Sequence, residues 1–344
     1  MADMQTQSCS RVAVVGAGSW GTAVAGLVAP HAAHVMLWAH SPVMVDYFNA
    51  THHNPRYLPN YEVPANVVAT SSLEQCVAGA EALFLVVPSA HVRSTCEALA
   101  PLVDDALPIA VLAKGIEAGS GLLMAQVAAD VLGAPERIVA LSGPNHAEEV
   151  SAGIPSGAVV AGLDERCTQL VHDLVSSDVF RVYQSDDLVG VEVCGAVKNV
   201  IALACGVAVG LGYGDNTCAM IMTRGLAEMG RIANAMGAQP ITCMGLAGAG
   251  DLIATCTSPH SRNRSFGEAF ARGTSLEEYE RRTHMVVEGA LAARSVLEVA
   301  GRLGVEVPIT RAVHAILYEG QSLDGALRAL TSRHASEEFY GMDA

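Results

Sequence analysis

The stretch "EVCGAVKNVIALACGVAVGLG", Glu192 to Gly212, places Lys198 and Asn199 in the middle of an apolar run. Small and branched apolar residues surround the lysine on every helical face, which predicts a buried central helix and not an amphipathic surface one. A buried, unpaired ammonium is costly. Either a carboxylate from elsewhere meets it, or its proton comes off near neutral pH, or its stem snorkels to water. A second isolated charge, Asp251, stands in "GLAGAGDLIATCTSPHSRNRSFG" at the start of an apolar stretch, and a buried carboxylate also needs a partner. Two opposite charges in one helical region predict that they meet. Such a lysine could give a proton to, or take one from, an oxygen atom. Ten residues on, Ser261, Arg262, Asn263 and Arg264 gather guanidinium, amide and hydroxyl donors, the set that phosphate recognition uses and that a basic surface loop would also show.

Three further stretches suit ligand binding. In "RVAVVGAGSWGTAVAGLVA", Gly16, Gly18 and Gly21 follow an apolar strand and open an Ala-rich helix. Gly16 permits the tight turn, Gly18 lets a pyrophosphate approach the backbone, and Gly21 lets helix and strand pack closely, with the helix N-terminus drawing the phosphates. Lys114, in "VLAKGIE", stands at the end of a predicted strand, where open α/β sheets bind ligands and a cation can reach a phosphate or a carbonyl oxygen, or else it is a solvated loop lysine. In "LSGPNHAEEV", Gly143 and Pro144 turn the chain, so that Asn145 and the amides near Ala147 can reach a ligand, unless the turn is only a turn.

The elements that must position these residues divide the 344-residue chain in two. Short apolar runs ("RVAVVGAG", "HVMLWAHSP", "ALFLVVPSA", "PIAVLAKG", "RIVALSGP", "GAVVAG") alternate with Ala-rich segments of helical length, the rhythm of βαβ units around a buried parallel sheet. From Leu188 the strand signals largely give way to helical patterns, with Gly237 and Gly304 where helix C-caps are expected. The expected organisation is an α/β dinucleotide-binding domain over residues 1–187 and an all-α domain over 188–344, with Tyr183 to Asp187 as the junction and a frayed tail from Thr331. Fifteen excess negative charges argue against nucleic acid and anionic membrane surfaces as partners. The longest apolar run carries Glu192, Lys198 and Asn199, which argues against a membrane span. Nine cysteines without CxxC spacing suit a reducing compartment, and the cytoplasm is the expected location. His31, His34 and His40 lie close in sequence, but no Cys or carboxylate completes a ligand set, so no metal is expected.

Together these motifs resemble the bacterial-type NAD(P)-dependent glycerol-3-phosphate dehydrogenases, in the family's order, from Arg11 to about Gly320. The likeness rests on "GAGSWGTA", "VVPS", "LAKGIE", "SGPNHAEEV", the Lys198 stretch with "GYGDNT", the Asp251 stretch and "VVEGA". The resemblance implies a Rossmann domain followed by a helical substrate and dimerisation domain, a homodimer, and reduction of dihydroxyacetone phosphate, a small phosphorylated triose, to sn-glycerol 3-phosphate for glycerolipid synthesis. By the same resemblance Lys198 is the proton-transferring lysine and Asp251 its partner. Lys114 matches a residue shared by substrate and cofactor. Gly143, Asn145, Ser261, Arg262 and Asn263 match substrate positions, and Ser19, Trp20, Ala147, Arg262, Val286 and Glu288 match cofactor contacts. The chain departs from the family pattern at Asn145 and His146, where a hydroxyl residue and then an aromatic are usual.

Cofactor choice is read from the end of the second predicted strand, "LWAHSP". An NAD-selective site usually has an acid about 20 residues beyond the first glycine, and none stands there. His40 can meet a 2′-phosphate, and Ser41 with Pro42 forms a helix start that offers amide donors. Both NADH and NADPH are expected to serve, with NADPH favoured. The alternatives are a β-hydroxyacid dehydrogenase of related architecture, against which the Ser261–Arg264 donors argue, and a non-catalytic dinucleotide sensor, which leaves Lys198 and Asp251 without a role.

Overall fold

The computed structural model describes residues 9–283 and 285–332. The lead before Cys9 and the tail beyond Ser332 lie outside the described residues. Two compact units emerge. The first runs to Ala113 and resumes over Met124–Leu188; the second takes Lys114–Leu123 and the chain from Val189 onward. The short excursion that carries Lys114 thus groups with the helical unit.

Among the described residues the first unit has ten strands: β1 (Cys9–Val15), β2 (Ala32–Trp38), β3 (His53–Asn54), β4 (Leu58–Glu62), β5 (Val67–Thr70), β6 (Ala82–Leu85), β7 (Ile109–Val111), β8 (Ile138–Ser142), β9 (Ser156–Gly162) and β10 (Phe180–Ser185). Eight of them form one sheet in the order β10-β9-β8-β7-β6-β1-β2-β5, and β3 pairs with β4 in a separate hairpin. From β5 to β8 the pairing is parallel, and the order is that of a doubly wound dinucleotide-binding sheet with its switch point between β1 and β6. Val12, Val14, Val35, Leu37, Phe84 and Ala110 are fully buried, as strands covered on both faces require.

Two expectations are corrected. The sheet is not wholly parallel: β9 runs antiparallel to β8, and β10 then pairs parallel with β9. Fully buried strands read as plain apolar runs in either direction, so composition does not distinguish them. The stretch from Tyr183 is also not simply a junction, because Tyr183 to Ser185 complete β10. Phe180 and Val182 face inward while Arg181 and Tyr183 are exposed, an edge-strand alternation that the polar residues disguise.

Helices make up the second unit. Leu188–Gly210, which carries Lys198, is among the described residues the one helix long and apolar enough to cross a membrane, and 78% of that window is buried. It is a core helix. It packs backbone to backbone on the helix Arg262–Ala271: a Cβ on Gly206 would lie 2.1 Å from the Arg264 carbonyl oxygen, and one on Gly267 would lie 2.3 Å from that of Leu203. That close approach brings the Ser261–Arg264 donors alongside the Lys198 helix.

Candidate active site

In the helical unit the two isolated charges meet. Lys198 Nζ donates to Asp251 Oδ1 at 2.6 Å and to Thr255 Oγ1 at 2.8 Å. Lys114 Nζ donates to the other carboxylate oxygen, Oδ2, at 2.7 Å. Thr255 Oγ1 in turn lies 3.2 Å from Oδ1. Lys198, Asp251 and Thr255 are buried, whereas the Lys114 side chain keeps 17% of its surface. A single π-helical turn, Leu246–Gly250, ends at Asp251, the first residue of the helix Asp251–Thr257, and places its carboxylate beside the lysine. Thr255 follows one turn later on the same face.

Two ammonium groups share one carboxylate, so the cluster carries a positive charge in excess. Burial drives the Lys198 pKa down from 10.5 to about 8; Asp251 opposes that shift and the neighbouring Lys114 charge reinforces it. Burial alone would raise the Asp251 pKa, but Lys114 and Lys198 together outweigh it and hold the carboxyl below its usual range. Near neutrality the cluster therefore contains an ionised aspartate and a lysine that can exchange its proton.

The donor run divides by role. Ser261 caps the helix Arg262–Ala271, its hydroxyl accepting from the Arg264 amide. Arg264 pairs with Glu268. Asn263 is buried and donates to Asn199 Oδ1 at 2.9 Å while its own oxygen accepts from the Gly289 amide at 2.8 Å. One amide proton of Asn263 is left over. Arg262 is exposed and, among the described residues, has neither a hydrogen bond nor an ion pair. Val286 and Glu288 flank the start of the helix Glu288–Leu303, next to Gly289. Asn199 and Thr255 are site members whose polar bonding was not read from the sequence: Asn199 adjoins Lys198 in plain view, while Thr255 looks like an ordinary helical residue.

The first unit holds the glycine turn. Gly16 has φ +120°, and a Cβ there would lie 2.8 Å from the Val86 carbonyl oxygen at the switch point. A Cβ on Gly21 would collide with the Gly16 carbonyl oxygen at 1.7 Å, whereas one on Gly18 meets nothing within 4 Å. The turn is thus closed toward the protein and open at Gly18, the shape that a pyrophosphate needs. Ser19 and Trp20 begin the helix Ser19–Val28, and Trp20 Nε1 is a buried donor with no partner among the described residues. His40 is exposed just beyond β2, and Ser41 caps the helix Pro42–Thr51 by accepting from Met44. These residues fit a dinucleotide. Gly143 (φ +155°) follows β8, where a Cβ would lie 2.7 Å from Ala158 Cα; Asn145 is buried, and His146 precedes Ala147 at the start of a short helix.

The sequence pattern described as NAD-dependent glycerol-3-phosphate dehydrogenase N-terminus matches residues 11–168, and the corresponding C-terminus pattern matches residues 187–328. A protein of Thermobifida fusca named glycerol-3-phosphate dehydrogenase NAD(P)+ is 46% identical over 335 residues, covering 97% of this chain and all of that protein. One of Mycobacterium tuberculosis, which bears the same name with the suffix 2, is 45% identical over 96% of this chain and 98% of its own length. The crystal structure of glycerol-3-phosphate dehydrogenase from Coxiella burnetii superposes with a TM-score of 0.90 at 37% identity, covering 94% of this chain and 99% of that one. The chain belongs to the NAD-dependent glycerol-3-phosphate dehydrogenase family.

Proposed function

We propose that this protein reduces dihydroxyacetone phosphate to sn-glycerol 3-phosphate with NADH or NADPH, reversibly, and so supplies glycerolipid synthesis. The observation that carries the reading is the Lys114–Asp251–Lys198 cluster, with Lys198 and Asp251 buried, in a chain of this family. A reduced nicotinamide, when bound, supplies the hydride. Gly16, Gly18, Gly21, Ser19 and Trp20 would hold the dinucleotide, with His40 at the ribose and Ala147, Lys114, Arg262, Val286 and Glu288 as further contacts.

Reduction of a ketone at C2 places negative charge on its oxygen. Lys198, as ammonium, stabilises that charge and gives up its proton there; in the oxidative direction the neutral amine takes the proton back. Asp251 keeps the ammonium oriented and charged enough to act, and Thr255 fixes its second hydrogen bond. Lys114 adds a second cation. Arg262 takes the substrate phosphate, a charge-assisted contact, with Ser261 and Asn263 supporting the helix that bears it. Gly143 and Asn145 complete the substrate contacts. The absence of an acid after β2 supports use of both dinucleotides with NADPH favoured. A cytoplasmic homodimer completes the reading.

The family membership and Arg262 both disfavour a β-hydroxyacid dehydrogenase and an idle sensor. The test is oxidation of NADPH and NADH by the purified protein with dihydroxyacetone phosphate and, separately, with unphosphorylated β-keto acids. Turnover that requires the phosphorylated ketone is expected, and turnover with the keto acids alone would overturn the assignment.

A further inference from the structure

The hairpin formed by β3 and β4 has no part in the reading above, yet it is tied to the glycine turn. Asn54 is fully buried. Its Nδ2 donates to the Ala17 carbonyl oxygen at 3.0 Å, inside the turn, and to Thr22 Oγ1 at 2.8 Å on the helix that follows. Its Oδ1 accepts from the backbone amides of Arg56 and Tyr57, at 3.3 Å each. From the other side, Ser19 Oγ donates to the Tyr57 carbonyl oxygen at 3.3 Å. Residues 54–57 are therefore fixed beside the N-terminus of the helix Ser19–Val28 by bonds to Ala17, Ser19 and Thr22.

The residue presented by this arrangement is Arg56. It is exposed, its guanidinium carbon lies 5.2 Å from the centroid of the Tyr57 ring, and among the described residues no carboxylate pairs with it. On a chain with a net charge of −15, an arginine kept without an acidic partner beside an anion-binding turn has a specific use. The pyrophosphate of a dinucleotide is doubly anionic, and the acidic chain as a whole repels it. Backbone amides at the open Gly18 offer hydrogen bonds but no full charge. A guanidinium supplies that charge in a fork that matches two phosphate oxygens, and stacking on Tyr57 restricts its motion before the ligand arrives.

We propose that Arg56 binds the pyrophosphate of NADH and NADPH alike, a contact that rests on the dinucleotide reading of the glycine turn. The test is direct titration of NADH and of NADPH into the purified full-length parent, Arg56→Ala and Arg56→Lys, followed by nicotinamide fluorescence without substrate. Arg56→Ala should raise the Kd for both dinucleotides by the same factor, about tenfold or more, as loss of a charge-assisted bond implies. Arg56→Lys should fall between parent and alanine variant, since it keeps the charge and loses the fork. The exposed position predicts an unchanged thermal midpoint in both variants. A loss confined to NADPH would overturn the proposal by moving the contact to the 2′-phosphate, and unchanged affinity for both would reduce Arg56 to a surface residue. Failure of the parent to bind either dinucleotide would instead remove the reading of the glycine turn, and the proposal with it.

Discussion

Lys114 and Lys198 approach opposite oxygens of a single carboxylate, at 2.7 and 2.6 Å from Asp251 Oδ2 and Oδ1. The two ammonium groups repel each other through the aspartate that binds both. One of them is buried, and burial selects it as the group that yields its proton: the Lys198 pKa falls to about 8. Lys114, on the other oxygen, keeps 17% of its side-chain surface exposed. The proposed roles, proton transfer for Lys198 and charge stabilisation for Lys114, rest on this asymmetry in burial.

The pH dependence follows with a definite sign. Ketone reduction consumes the ammonium form, so kcat/KM for dihydroxyacetone phosphate should be level below about pH 8 and fall tenfold per unit above it. Oxidation of glycerol 3-phosphate needs the free amine and should rise to the same point and then level off. Steady-state profiles in both directions check this. A reductive profile still flat at pH 9.5 would mean that Lys198 keeps an ordinary lysine pKa or donates nothing.

Arg262→Ala should raise the KM for dihydroxyacetone phosphate by about ten- to hundredfold, the loss expected of a charge-assisted phosphate contact. At saturating dinucleotide, activity toward dihydroxyacetone, which lacks the phosphate, should change far less. Saturation curves for both ketones decide it, and an unchanged KM for the phosphorylated ketone would return Arg262 to the solvent.

A structural carboxyl in the same unit makes stability depend on pH. Glu228 is buried and accepts from the amides of Ile309 and Thr310 and from the Thr310 hydroxyl, at the start of the helix Pro308–Tyr318. Burial raises its pKa from 4.5 to about 7, against the lowering effect of those hydrogen bonds and of Arg231. A carboxyl whose pKa is raised on folding binds its proton more tightly in the native state. Its contribution is complete below about pH 4.5 and is lost as pH rises through about 7. Between those limits the thermal midpoint of the parent should drop relative to Glu228→Gln, which has no such group to ionise. Melting both proteins at intervals from pH 4.5 to 8 measures the difference, and parallel curves would contradict it.

How much of this could be read from the sequence depended on whether a residue's chemistry clashed with its surroundings. Lys198 and Asp251 each stand alone among apolar neighbours, and that conflict announced both of them and their meeting. Thr255 makes no such conflict, because a threonine in a helix explains itself, and its bond to Lys198 depends on a chain reversal that spacing does not encode. Asn263 was visible as a donor, but its bonds to Asn199 and Gly289 join three separate helices and exist only in three dimensions. The parallel core was legible from its buried runs, while β5 is four residues long and β10 is masked by its exposed Arg181 and Tyr183. The role of Asn54 was hidden for the same reason as that of Thr255: its partners Ala17 and Thr22 lie more than thirty residues away.

Substitution of the lysine tests the central claim most directly. Lys198→Met keeps the length and apolar stem of the side chain and leaves Asp251 paired with Lys114, so the fold has no unpaired buried charge to accommodate. Turnover of dihydroxyacetone phosphate by the variant should fall by about three orders of magnitude or more, as loss of a positioned acid and of its charge implies. NADPH, for which Lys198 is not among the proposed contacts, should bind the variant within about twofold of the parent, since the lysine acts on charge that develops during reaction. Measuring kcat and the NADPH dissociation constant on the same preparation gives the answer: slow turnover with intact binding is the predicted result, and turnover within tenfold of the parent would contradict the account.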